Sequence, residues 1–190
     1  MSYKITTAKG YDFFEVSSAF QKSIRRGMEE EAIYWGLELF ESNFAEYAFK
    51  RMIIMTSEDI GLAEPNMPAN IQALFQNFDF LRKKKDTKKK PERVVYMHAI
   101  MMLVRAKKSR VVDNALIYFH EKHKASTVRS HPIPEYTFDQ HTYKGKRMGR
   151  GFRYFMEEGS KLENMGDVEG EEEYYEKAYS YIKLYDNKLF

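Results

Sequence analysis

Met55-Thr56-Ser57-Glu58-Asp59-Ile60-Gly61-Leu62-Ala63-Glu64-Pro65 is where a long run of helical spacing stops. Upstream, apolar residues recur every three or four positions, the signature of a helix with one buried face. Phe13, Val16, Phe20 and Ile24 do so between Tyr11 and Arg26, and Ala32, Trp35 and Leu39 between Met28 and Glu41. Phe44, Ala48, Met52 and Met55 form a third stripe. Gly27 supplies a stop for the first helix. Asn43 with Glu46 three residues later reads as a capping box opening the third. Glu58 to Gly61 then break the stripe, Pro65 and Pro68 mark a turn, and Pro68 suits the first position of a further helix.

Downstream, that helix carries Ile71, Leu74, Phe75, Phe78 and Leu81. Pro91 opens another to Lys107, and Ser109 caps the next, to about His123. The short connection Ala106-Lys107-Lys108-Ser109 predicts that these two lie antiparallel. The β-branched pairs Val94-Val95 and Val111-Val112 sit inside helical spacing and do not argue for strands. From Ser126 to Thr142, Pro132 and Pro134 predict extended chain. Gly145, Gly149 and Gly151 lead into a segment from Phe152 to Leu162, and a last helix spans about Gly170 to Asp186. The expected fold is therefore all-α, a helical bundle with an irregular Pro/Gly-containing segment after residue 125. Residues 1–125 form its main domain, and 126–190 pack on it as a basic segment with C-terminal helices.

At 190 residues, 43% hydrophobic and 31% charged, the chain can bury a core without metal or disulfide staples. It has no Cys, which excludes disulfides, thiolate metal sites and cysteine nucleophiles. No stretch approaches the ~18 uncharged apolar residues that span a bilayer. The start, MSYKITTAKGYDFF, lacks the apolar block of a secretion signal. A cytoplasmic location is the expectation.

No catalytic motif stands out. Lys144-Gly145-Lys146-Arg147-Met148-Gly149-Arg150-Gly151 is glycine-rich and basic, but no Ser or Thr follows a Gly-Lys pair, so it is not a Walker A loop. His120 and His123 lie three apart, whereas a zincin helix needs four. His98, among apolar residues, reads as a core histidine. His131 and His141 lie near Glu135 and Asp139, a grouping that could move a proton. No serine elbow is present. The expectation is a protein that is not an enzyme and needs no cofactor or metal.

The net charge of +3 hides blocks of one sign. Arg82 to Arg93 holds eight Lys or Arg against two acids, and Tyr143 to Arg153 holds five and no acid. Glu157 to Glu176 holds nine acids. The basic blocks read either as solvated loops or as contacts to nucleic-acid phosphate. In the second case the contacts come from Arg82, Lys83, Lys84, Lys85, Lys88, Lys89, Lys90, Arg93, Lys144, Lys146, Arg147, Arg150 and Arg153. Tyr174, Tyr175, Tyr179, Tyr181 and Tyr185 lie among acids and read as helix-packing or subunit-interface residues.

Three segments in order carry a resemblance: Ser17-Ser18-Ala19-Phe20-Gln21-Lys22-Ser23-Ile24-Arg25, Glu31-Ala32-Ile33-Tyr34-Trp35, and the Met55–Pro65 stretch. Lys108-Ser109, followed by Asn114-Ala115, stands where a Pro-Lys-Ser turn would fall. The series resembles the C-terminal region of the replication-associated recombination protein A family. Its members are AAA+ ATPases, also called maintenance of genome stability protein A, with the Werner-helicase-interacting protein as a relative. The family's Walker motifs are absent, so no ATP-binding residue carries over. The resemblance implies a collar like that of clamp loaders, a homo-oligomer (a tetramer in the family), and a scaffold role in DNA replication or repair. A separate AAA+ ATPase and DNA are the implied partners, and no membrane is. It also implies that Ser57, Glu58, Asp59, Ile60 and Gly61, with Lys108 and Ser109, form a structured helix junction whose acids are caps or buried acceptors. One physical expectation stands beside it: the apolar stripes exceed what one copy can cover.

Overall fold

The structure, a computed structural model, describes residues 5–83, 90–126 and 131–185. Among them no strand forms, and the one β-bridge joins Thr6 to Asp12. The chain divides into two compact units, residues 1–125 and 126–190.

In the first unit, α1 (Phe13–Arg25), α2 (Glu29–Glu41), α3 (Ala45–Met55), α4 (Met67–Lys83) and α5 (Glu92–Arg105) enclose one core. Asp12 opens α1, its Oδ1 accepting from the backbone N–H groups of Phe14 at 2.9 Å and Glu15 at 3.2 Å. Most of the predicted inward residues are buried: Phe20, Ile24, Leu39, Ala48, Met52, Met55, Ile71 and Phe78 are sealed from solvent, as is Phe49, which lies outside the predicted stripes. Trp35, Phe44, Leu74 and Phe75 are partly buried against the core. Phe40, Phe49, Phe78 and Tyr96 meet as edge-on or tilted rings at the centre.

α2 and α5 approach closely because α2 carries glycine at the crossing. A Cβ on Gly36 would lie 2.4 Å from Ile100 Cδ1 and 3.0 Å from Phe20 Cε2. The Tyr96 hydroxyl donates to the Gly36 carbonyl at 2.9 Å, and burial holds this phenol far above its ordinary pKa.

Local expectations fail at four points. Asn43 does not cap α3. It adopts φ 64°, Phe44 precedes the helix without a side-chain cap, and Glu46 is drawn to Arg82 instead. Pro68 is the second residue of α4, and Met67 is the first. His98 is exposed, since Tyr96, Ala99, Ile100 and Leu103 already define the inward face of α5. Finally, α6 (Val111–Ala125) does not fold back along α5. Its packing partners are the turn at residues 56–63, and none of its residues is buried.

The second unit holds a 3₁₀ turn (Glu135–Thr137), α7 (Tyr143–Arg147), α8 (Phe152–Tyr154) running into a π-turn (Phe155–Gly159), and α9 (Glu171–Tyr185).

Candidate functional site

α3 ends in a wide π-turn, Thr56–Ile60, followed by a 3₁₀ turn, Gly61–Ala63. Widening the last turn places Asp59 inside, with its side chain 1% exposed, and Glu58 at the rim. Asp59 Oδ1 accepts from Arg25 Nε at 2.5 Å and from Arg110 Nη1 at 2.9 Å. Glu58 Oε1 accepts from Arg25 Nη2 at 2.7 Å, and its Oε2 from Gln21 Nε2 at 3.1 Å. Gln21 in turn accepts from Arg51, and Arg110 also pairs with Asp113. Arg25 and Arg110 engage the three carboxylates directly and Arg51 reaches Glu58 through Gln21, so three arginines balance three acids within the cluster.

The backbone completes the joint. The Asp59 carbonyl accepts from Ser109 N–H at 2.9 Å, and Glu64 Oε1 from Lys107 N–H at 2.7 Å. Lys108 Nζ donates to the carbonyls of Leu103 at 2.6 Å, Val104 at 3.0 Å and Ala106 at 2.8 Å, the orphan acceptors at the end of α5. Burial lowers the Lys108 pKa, with Glu64 and Asp59 opposing it. Burial also works against the Arg110 charge, but Glu58, Asp113 and Asp59 overcome it and raise its pKa. At Gly61, φ is 50° and a Cβ would meet Val112 Cγ2 at 3.1 Å, so glycine admits both the left-handed turn and the start of α6.

Chemically this is a joint. Each carboxylate is engaged by arginine, and no group of three metal-ligating side chains forms among the described residues. Two buried atoms, Asp59 Oδ2 and Arg51 Nε, have no partner among the described residues. What the joint does is fix the direction in which α6 leaves the bundle. Ser57 lies exposed at the rim, Ile60 is buried in the core, and Ser109 Oγ accepts from Val111 N–H at 3.3 Å. Gln21 and Arg25 lie in a segment the sequence singles out, yet no spacing rule pairs them with acids more than thirty positions away. Arg51 and Arg110 carried no signal at all.

The two basic blocks differ. Around 82–93, Arg82 pairs with Glu46, Lys83 with Asp79 at 2.5 Å, and both Lys90 and Arg93 with Glu41 at 3.2 and 2.6 Å. Lys84, Lys85, Lys88 and Lys89 lie outside the described residues. In the second block Arg150 is spent on structure: it donates to the Glu135 carbonyl at 3.1 Å, pairs with the Glu135 carboxylate and lies over the Tyr154 ring. Arg153 pairs with Glu157 at 2.9 Å. Lys144, Lys146 and Arg147 have no carboxylate partner among the described residues. Lys144 Nζ sits 3.8 Å from the centre of the Phe138 ring, and Arg147 is 5.9 Å from that of the exposed Tyr143.

The histidines do not converge. His120 and His123 are exposed on α6. His141 Nδ1 meets Asp139 Oδ2 at 3.0 Å, and this contact with the His141 N–H lowers the Asp139 pKa. Glu135 is taken by Arg150, so the grouping of His131, His141, Glu135 and Asp139 reduces to one pair. No helix among the described residues is long and apolar enough to cross a membrane.

The model of a family described as "MgsA AAA+ ATPase C terminal" matches residues 28–188. The ATPase WRNIP1 of Dictyostelium discoideum is 30% identical over 148 residues, covering 77% of this chain and 16% of that protein. Replication-associated recombination protein A of Bacillus subtilis (strain 168) is 30% identical over 147 residues, covering 74% of this chain and 32% of that protein. The chain thus spans about a sixth and a third of the lengths of these two relatives.

Proposed function

The chain belongs to the MgsA AAA+ ATPase C-terminal family, and from that membership and the α6 joint we propose that it is a non-catalytic assembly module serving DNA replication or recombination. The relatives' names supply the setting, replication-associated recombination and ATPase activity. The observation that carries the reading is α6: fifteen residues with none buried, held in one direction by a charge-balanced joint. A module of this kind associates with copies of itself and offers a collar to a separate AAA+ ATPase. Size-exclusion chromatography with light scattering tests it. Assembly that rises with concentration is expected, and a strict monomer across the micromolar range overturns the reading.

A second role has its own support. Lys144, Lys146 and Arg147, with no carboxylate partner among the described residues and close to the exposed Tyr143, suit a sugar-phosphate chain with a stacked base. Three phosphate contacts give a salt slope of about −2 for a single strand. Fluorescence anisotropy with a labelled oligothymidylate should show binding at low salt that Lys144→Glu with Arg147→Glu abolishes. Equal binding by that double variant removes this role.

A further inference from the structure

The second unit holds an open groove that neither the joint nor the basic block uses. One wall is the π-turn Phe155–Gly159, the other is the start of α9, and residues 160–170 line the rest. The walls are tied together. The Tyr175 hydroxyl donates to the Met156 carbonyl at 3.4 Å, Tyr179 donates to Glu157, and Arg153 holds Glu157 at 2.9 Å. Gly170 turns the chain into α9 with φ 89°, and a Cβ there would come within 3.2 Å of the Tyr174 ring. The groove encloses about 1370 Å³, above the range of pockets that take one small metabolite. Its surface combines two chemistries. Leu162 is 65% exposed, Met165 58%, Val168 63%, Tyr174 70% and Tyr175 44%, so apolar side chains stand bare along it. Among them lie Glu163, Asp167, Glu169, Glu171 and Glu172, which meet no cation among the described residues, whereas Glu157, Glu158 and Glu173 are taken by Arg153, Lys161 and Lys177. The helix dipole accounts for Glu171 and Glu172 at the start of α9. It does not account for Glu163, Asp167 and Glu169, which precede the helix.

We propose that this groove docks a basic peptide segment of another protein, one whose lysines or arginines flank an apolar anchor. The proposal stands on the second unit alone and does not depend on assembly. Charge selects the occupant. Five uncompensated carboxylates attract a cationic chain and repel phosphate, which disfavours both nucleic acid and an anionic lipid surface. No group of three metal-ligating side chains forms among the described residues, so the acids do not make a cage for a metal ion. The apolar side chains narrow the choice further. A purely ionic occupant would leave Leu162, Met165 and Val168 in water, whereas a segment with an apolar anchor covers them. Met156 and Met165 suit an irregular anchor, because an unbranched thioether chain moulds to its partner. The tyrosine rings accept cations on their faces, as Tyr174 does with Lys177 at 5.4 Å from the ring centre.

Fluorescence anisotropy tests this with the full chain and a labelled peptide in which lysine pairs flank a leucine and a tryptophan. Two matched peptides accompany it, one with the apolar residues replaced by serine and one with the lysines replaced by glutamate. The first peptide should bind, the other two about tenfold more weakly or worse, and added salt should weaken the binding. Asp167→Asn with Glu169→Gln should lower the affinity about tenfold, and Met165→Ser with Val168→Ser by a similar factor. All four positions are exposed, so circular dichroism of these variants should match wild type. No binding of the first peptide at low salt overturns the proposal. Equal binding of the serine peptide reduces the site to charge attraction and overturns it as well. So does binding that both double variants leave unchanged, since the peptide would then sit elsewhere.

Discussion

α5 and α6 are nearly the same length and five residues apart, and each carries a Val-Val pair in its first turns. α5 buries Tyr96, Ala99, Ile100, Leu103 and Val104, and α6 buries nothing. The difference lies in the connection. Lys108 ties off the carbonyls of α5, and Arg110 is pulled to the acids of the π-turn, so the chain turns away instead of folding back. An apolar stripe states that a helix will be covered. It does not state by what.

The comparison breaks most visibly in the core. Ile100→Ala should destabilise the first unit by about 4 kcal/mol, measured by denaturant unfolding, since the side chain is fully buried against the α2 crossing. Asp59→Ala should cost roughly 3 kcal/mol, at the low end for a broken buried pair because its two arginines remain about a third exposed. Its diagnostic effect is on α6, whose backbone amides should exchange faster than those of α5. Unchanged exchange in α6 would show that the joint does not direct it.

Smaller effects sharpen the contrast. Leu116→Ser, assayed where the chain is monomeric, should change stability by less than about 0.5 kcal/mol, as for a surface site. A loss comparable to Ile100→Ala would mean that α6 is covered within its own chain. In the second unit, the Asp139 pKa is lowered chiefly by its hydrogen bond with the His141 side chain. A carboxylate with a depressed folded pKa stabilises above its unfolded value and loses that contribution as pH falls through the folded one. The His141 amide should therefore lose protection only below about pH 4, and NMR at stepped pH reads this. Loss well above pH 4 would show that the Asp139 carboxylate is not what holds this amide.

The helices of the first unit were legible because their cores follow the 3.6-residue period at Phe13, Val16, Phe20 and Ile24 and again at Ala48, Met52 and Met55. Asn43 misled because a capping box is a local preference worth about 1 kcal/mol, and the chain reversal into α3 needed a left-handed residue at that point. His98 misled because apolar neighbours in sequence are not neighbours on a helix face.

The sequence by itself determined a helical chain without thiols, spaced to bury aromatic and methionine stripes, and a family likeness centred on residues 55–65. Tertiary structure alone decided that Arg25 and Arg110 converge on Asp59, that Gly36 lets α2 meet α5, that Arg150 is spent on Glu135 while Lys144 meets no carboxylate among the described residues, and that α6 points outward. Spacing fixes which residues share a face, because backbone geometry is local. Which face finds a partner depends on contacts across dozens of residues, and those form only once the chain has folded.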